Sequence, residues 1–148
     1  MNGKRYEKDR LRRSMMFVPG NNPGMIADSR IYKADSIMFD LEDSVSLAEK
    51  DAARFLVYQA LKTLDFGKKE IVVRVNDLGS GLGVRDLEAI IPAGVQVVRL
   101  PKTDGPQDVV DCEREIARIE QAHGIPVGAT GMMAAIESAN GVLNAREI

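Results

Sequence analysis

The chain has 148 residues, of which 45% are hydrophobic and 28% charged, with a net charge of -2. This is the length and balance of one ordinary globular domain, able to bury a core without disulfide or metal staples. The near-neutral charge excludes the basic footprint of a nucleic-acid binder and any membrane-seeking cluster.

Cys112 is the single cysteine, which excludes an internal disulfide and a cysteine-based metal site. It points to a reducing, cytoplasmic location. Its acidic neighbours Asp111 and Glu113 would raise the thiol pKa and argue against a nucleophile. No apolar stretch follows the basic start, as a secretory signal would require, and no apolar run is long enough to span a bilayer.

Residues 1–13 mix basic residues with Glu7 and Asp9 and read as a solvated arm; residues 14–148 read as one domain. Met15 to Val18 is a short apolar run ended by Pro19-Gly20, a strand and then a turn. Gly24 to Arg30 suits a short helix. Asp35 to Asp40 is a second strand, ending in the acids Asp40, Glu42 and Asp43. Ser46 with Glu49 three residues on predicts a capping box, ahead of Ala53, Leu56, Val57, Ala60 and Leu61 at helical spacing.

Ile71 to Asn76 is a third strand. The glycines of Gly79 to Gly83 invite a dinucleotide reading, but Val84 breaks the required spacing and no ribose-binding acid ends the next strand. A flexible turn is the expectation. Asp86 to Ile91 reads as a helix stopped near Pro92. Val95 to Leu100 is a fourth strand ended by Pro101-Lys102, and Pro106 to Ala122 an amphipathic helix closed by His123-Gly124. Thr130 to Ile136 is a fifth strand ended by Glu137, and a further helix begins after it. Alternation of apolar strands with helices means an α/β fold with a parallel sheet, either doubly wound or closed as a barrel.

Polar residues gather where the strands end: Pro19-Gly20, Asp40 to Asp43, Arg74 with Asn76, Arg99 with Lys102, and Glu137. In a parallel sheet those ends share one edge, the active-site face of a barrel. Glu137 emerges from a buried strand, as a ligand of a hard divalent cation would, or as a helix cap or structural ion pair. Arg74 on an apolar strand must be paired, with a substrate carboxylate or a protein one such as Glu42. Three acids at Asp40, Glu42 and Asp43 need a nearby cation, unless they form a solvated loop with Asp43 or Ser44 as a cap. Lys102 could pair with them or meet an anionic ligand. His123, the only histidine, reads as a helix C-cap.

Five blocks carry a resemblance. They are Arg13-Ser14-Met15-Met16-Phe17-Val18-Pro19-Gly20, Met38-Phe39-Asp40-Leu41-Glu42-Asp43-Ser44-Val45, Val73-Arg74-Val75-Asn76, Val98-Arg99-Leu100-Pro101-Lys102-Thr103 and Ala134-Ala135-Ile136-Glu137-Ser138. In this order they resemble the citrate lyase beta subunit group of the aldolase and malyl-thioester lyase family. The resemblance implies a (β/α)₈ TIM barrel with Mg²⁺ at the strand C-termini. It implies cleavage of a citryl thioester, carried on an acyl carrier protein prosthetic group or coenzyme A (CoA), to oxaloacetate and an acetyl thioester.

Residue by residue, Glu137 matches the metal-binding glutamate and Arg74 the arginine that holds the keto-acid carboxylate. Glu42 and Asp43 match acids near the metal-bound water, Pro19-Gly20 line the thioester site, and Lys102 is a further substrate contact. The implied partners are the citrate lyase alpha subunit, the acyl carrier (gamma) subunit and further copies in an oligomer. Malyl- or citramalyl-CoA lyase activity is the alternative within the family. A barrel typically needs ~250 residues. The 148 residues accommodate five of eight units, so an inactive fragment or binding subunit is the alternative from another class.

Overall fold

A computed structural model describes residues 5–148. Five strands alternate with helices: β1 (Met15–Pro19), α1 (Pro23–Asp28), β2 (Ser36–Asp40), α2 (Lys50–Thr63), β3 (Glu70–Arg74), α3 (Leu82–Ala93), β4 (Val97–Leu100), α4 (Pro106–Ala122), β5 (Gly131–Ala134) and α5 (Ala139–Leu143). All strand pairs are parallel, in the order β1-β2-β3-β4-β5. A doubly wound sheet reverses its strand order at a switch point. This one steps in a single direction, so the doubly wound alternative falls away.

Strand parity divides the two faces. Ile37, Phe39, Ile71, Val73, Val98 and Leu100 pack in one core with Ala53 and Val57 of α2, Leu87, Ile90 and Ile91 of α3, and Cys112, Ile116 and Ile119 of α4. These helices therefore cover the same face. The opposite face is built in rungs of register partners. Its lowest rung holds Met15, Ser36 and Glu70, and the next holds Phe17, Met38, Val72, Val97 and Gly131. The topmost holds Pro19, Asp40, Arg74, Arg99 and Met133. β2 is buried on both faces, whereas β1 is an edge strand whose Phe17 is 49% exposed.

The described part of the expected solvated arm is instead tied down. Arg12 donates from Nε and Nη2 to the Glu70 carboxylate at 2.6 and 2.7 Å, and Glu70 is buried. Arg5 reaches the Ile91 carbonyl at 2.6 Å, and Arg13 pairs with Asp35 at 2.7 Å. The Tyr6 ring occupies the space a side chain at Gly131 would need, 2.9 Å from where its Cβ would lie. A buried carboxylate must be paired, and the arm supplies the partner.

One end signal differs from the sequence reading. The Glu49 carboxylate accepts from the Ser46 hydroxyl and the Asn21 amide, at 2.9 and 3.0 Å, so no capping box forms and a 3₁₀ turn precedes α2. As expected, α3 stops near Pro92, which lies inside its last turn, one residue before its end at Ala93. There it removes one donor whose acceptor, the Glu88 carbonyl, lies on an exposed residue. The glycine segment is a 3₁₀ turn running into α3. Gly83 is held so close to the Asn76 carbonyl that a Cβ would lie 2.3 Å from it.

Arg12→Ala should lower the free energy of urea unfolding by about 3–5 kcal/mol, because it strands the Glu70 charge. Leu11→Ala, at a residue 74% exposed, should change it by less than about 0.5 kcal/mol.

Candidate active site at the strand C-termini

The top rung and the loops above it bring the predicted polar residues together. Arg74 donates from Nε to Asp40 Oδ1 at 2.7 Å and from Nη2 to Oδ2 at 2.8 Å. Its Nη1 lies 3.1 Å from Glu42 Oε2 and 3.7 Å from Asp43 Oδ2. Among the described residues Glu42 Oε2 nevertheless accepts no hydrogen bond, so that contact is electrostatic only. The guanidinium carbon sits 5.3 Å from the Phe17 ring centroid, a cation–π contact. Arg74 was expected to grip a ligand carboxylate or Glu42. Its two-toothed grip through Nε and Nη2 is on Asp40, because the register sets the two residues side by side.

Asp40 is 1% exposed. Burial pushes its carboxyl up, but Arg74, the Ser44 side chain and the backbone amides of Glu42 and Ser44 more than offset this and hold it at about 2. The hydrogen bond that Arg74 donates to Asp40 in turn raises the Arg74 pKa. The acid cluster is thus an ordered turn around a charged pair, and neither Asp43 nor Ser44 caps a helix.

Lys102 Nζ is 2.9 Å from Glu42 Oε1 and 3.6 Å from Asp43 Oδ1. Its backbone is left-handed, with φ 48°, and its N–H donates to Glu137 Oε2 at 3.2 Å. A non-glycine residue in that region costs on the order of 1 kcal/mol and persists where the surroundings over-determine it. Glu137 is 31% exposed at its side chain, and its Oε1 lies 3.7 Å from Arg99 Nη2. Pro19 is half-buried, while Gly20 is fully enclosed: its N–H donates to the Asp40 carbonyl at 2.8 Å, and a Cβ there would meet that same oxygen. Gly20 therefore permits close approach, and Pro19 presents the exposed surface.

Several supporting residues escaped the sequence reading. Buried Lys50 donates to the Leu41 and Glu42 carbonyls at 2.7 and 2.5 Å, and desolvation lowers its pKa against the pull of Asp86, Asp40, Glu42 and Asp43. Asp86 Oδ2 accepts from the Asn76 backbone and side-chain amides, and the Asn76 side chain also reaches the Leu41 carbonyl. Asp86 carried a signal, being an acid inside the apolar stripe of α3; Lys50 carried none. Cys112 is inert mainly through burial, with Glu115 adding to it, and its pKa is pushed up to about 12.

Among the described residues, no three His, Cys, Asp or Glu side chains converge as a ready cation cage. No described helix is long and apolar enough to cross a membrane. A hollow of about 240 Å³ opens at the strand ends, lined by Asp77, Leu100, Pro101, Lys102, Asp108 and Asp111. A larger one of about 510 Å³ lies at the opposite end beside α4, away from this charged cluster.

Because the Asp40 carboxyl is held below its ordinary range, its stabilising effect is complete above about pH 4 and fades as pH falls through about 2. Asp40→Asn should therefore cost stability at pH 7. The gap to the unsubstituted protein should narrow by about 2 kcal/mol toward pH 2 in urea titrations at several pH values. A gap that does not change with pH would sink this assignment.

The sequence and the fold have relatives among known proteins. The chain is 57% identical over 140 residues to the citrate lyase subunit beta of Leuconostoc mesenteroides subsp. cremoris, covering 95% of this chain and 46% of that one. It thus spans about half the length of the curated relatives it matches. Among solved structures, it is similar to a citrate lyase beta subunit from M. tuberculosis complexed with oxaloacetate and magnesium, with TM-score 0.71, 29% identity, and coverage of 93% of this chain and 54% of that one. It is also similar to the CitE protein of Mycobacterium tuberculosis in complex with magnesium, acetoacetate and coenzyme A, with TM-score 0.68, 31% identity, and coverage of 93% and 45%. Residues 13–148 match the family model for HpcH/HpaI aldolase/citrate lyase, and the chain belongs to that family.

Proposed function

We propose that this chain forms the first five βα units of a (β/α)₈-barrel lyase that cleaves citryl thioesters in a Mg²⁺-dependent reaction. The observation that carries the reading is the rung of Asp40, Arg74 and Arg99 at the strand C-termini, with Glu42, Lys102 and Glu137 in the loops directly above it. Identity to a citrate lyase subunit beta supports the substrate, and the oxaloacetate, magnesium and coenzyme A in the similar structures support the ligands.

The residues fit a hard cation in one respect. Glu137 offers a part-exposed carboxylate at the mouth, and Mg²⁺ is commonly held by one or two carboxylates with water and substrate oxygens completing its shell. When bound there, the cation supplies Lewis acidity to the oxygen that becomes the product carbonyl.

The reaction is a retro-Claisen cleavage. The tertiary hydroxyl gives up its proton and its oxygen becomes a carbonyl. The breaking carbon–carbon bond leaves its electron pair on the acetyl thioester, which then takes up a proton. Arg74 meets a substrate carboxylate through the side of its guanidinium not used by Asp40. That held geometry sets the angle of the breaking bond. Glu42, committed to Arg74 and Lys102, keeps both cations in place. Asp43, 64% exposed at its side chain, is the acid able to pass the hydroxyl proton to water. Pro19 borders the thioester.

The carrier is an acyl carrier protein prosthetic group or CoA. The implied assembly includes alpha and acyl-carrier subunits together with further copies of this chain, in the cytoplasm. In the full-length natural protein, citryl-thioester cleavage should stop with a chelator and return with Mg²⁺. Glu137→Ala and Arg74→Ala should each lose roughly a hundredfold or more in kcat/KM. Turnover indifferent to Mg²⁺, or cleavage of malyl but not citryl thioesters, would overturn the reading.

A further inference from the structure

Arg99 is the strongest unassigned group at this face. It shares its rung with Arg74, as a direct register partner on the next strand. The two guanidinium groups are nonetheless in opposite situations. Arg74 has one edge of its fork on Asp40, and its Nη1 lies beside Glu42. Arg99 Nε is buried and donates to nothing among the described residues. Among them its Nη1 meets only the Met133 sulfur, at 3.5 Å, and its Nη2 stops 3.7 Å from Glu137 Oε1, beyond hydrogen-bond range. With its side chain 23% exposed, this fork opens on the mouth of the sheet. A guanidinium drawn out of water and left with so few acceptors is costly, and an anion that satisfies it recovers that cost.

We infer that Arg99 binds the second carboxylate of a dicarboxylic substrate and so selects 2-oxodicarboxylates over 2-oxomonocarboxylates. The inference rests on the proposed lyase reading and narrows its substrate class. The oxo-acid half of a citryl thioester carries two carboxylates. Arg74 has one edge of its fork already taken by Asp40, and it cannot clamp both. Arg99 is the neighbouring planar donor set matched to a carboxylate, and such charge-assisted pairs are stronger than neutral hydrogen bonds. The single carboxylate of a monocarboxylic oxo acid would leave this fork unmet, and a site built around a polar partner discriminates strongly against the ligand that lacks it.

The test compares binding of oxaloacetate and pyruvate by calorimetry, with Mg²⁺ present, in the full-length natural protein and in Arg99→Gln and Arg99→Lys. Citryl-thioester turnover is measured alongside. Arg99→Gln should weaken oxaloacetate binding roughly ten- to a hundredfold and leave pyruvate within about twofold. Arg99→Lys keeps the charge without the fork, and should fall between the two for oxaloacetate alone. Should Arg99→Gln fail to fold, the lysine variant carries the comparison.

Equal weakening of both ligands, or of neither, overturns the inference. Citryl-thioester turnover by an unsubstituted protein that prefers neither oxo acid overturns this inference alone. A preference for oxaloacetate that is lost in the variants, without any such turnover, sinks the proposed reaction and leaves the role of Arg99 standing.

Discussion

The pair formed by Asp40 and Arg74 is the constraint on which the rest of this face depends. Both side chains are largely shielded from water, and an unmatched charge there would cost several kcal/mol. Their pairing fixes more than two residues. The Asp40 carboxylate also accepts the amides of Glu42 and Ser44, which bends the chain sharply after β2. The Asp40 carbonyl receives the Gly20 amide, which ties the end of β1 to the same point. Asn76, just beyond β3, reaches the neighbouring Leu41 carbonyl, with Asp86 behind it. Three strand ends are thereby tied to one short turn, at Asp40 and Leu41.

The face beneath is layered for a physical reason. An ionic rung at the top and the pair of Arg12 with Glu70 at the bottom are separated by an apolar rung of Phe17, Met38, Val72 and Val97. That middle layer keeps water from connecting the two charged layers and lowers the local dielectric, which strengthens the pairs on either side. Strands hold Asp40, Arg74 and Arg99 rigidly. Glu42, Asp43, Lys102 and Glu137 sit on the loops just beyond, where backbone can adjust to a ligand. The left-handed backbone of Lys102 belongs to this second group, pinned by Glu137 at its amide and by Glu42 at its ammonium.

Much of this was legible in the sequence, and what was not has a common cause. Apolar runs and helical spacing locate all five strands and the helices between them, since burial writes itself into local pattern. The gathering of polar residues at the strand ends is equally local. Register is not: nothing between residues 40 and 74 says that these two stand side by side, so the partner of Arg74 could be narrowed only to an acid or a ligand. The same limit hid Lys50, whose targets are backbone carbonyls, and the docking of the arm, which needed Glu70 and Gly131 to be known as neighbours. Ser46 misleads for a different reason. Its local preference is real, but a glutamate with better partners follows the tertiary surroundings instead.

Under the proposed function, the distribution of charge at the strand ends would make a divalent cation and a dianionic substrate interdependent. By formal charge, the acids Asp40, Glu42, Asp43 and Glu137 are matched by Arg74, Arg99, Lys102 and the buried Lys50. Such a cluster has no excess positive charge with which to attract a dianion, even with an unsatisfied arginine in it. A divalent cation beside Glu137 would make the local charge positive. It would also draw the Glu137 carboxylate away from Arg99, weakening the one ionic contact of that guanidinium among the described residues. The arginine would then receive a carboxylate more readily in the cation-loaded site, and substrate binding and cation binding would reinforce each other through one glutamate.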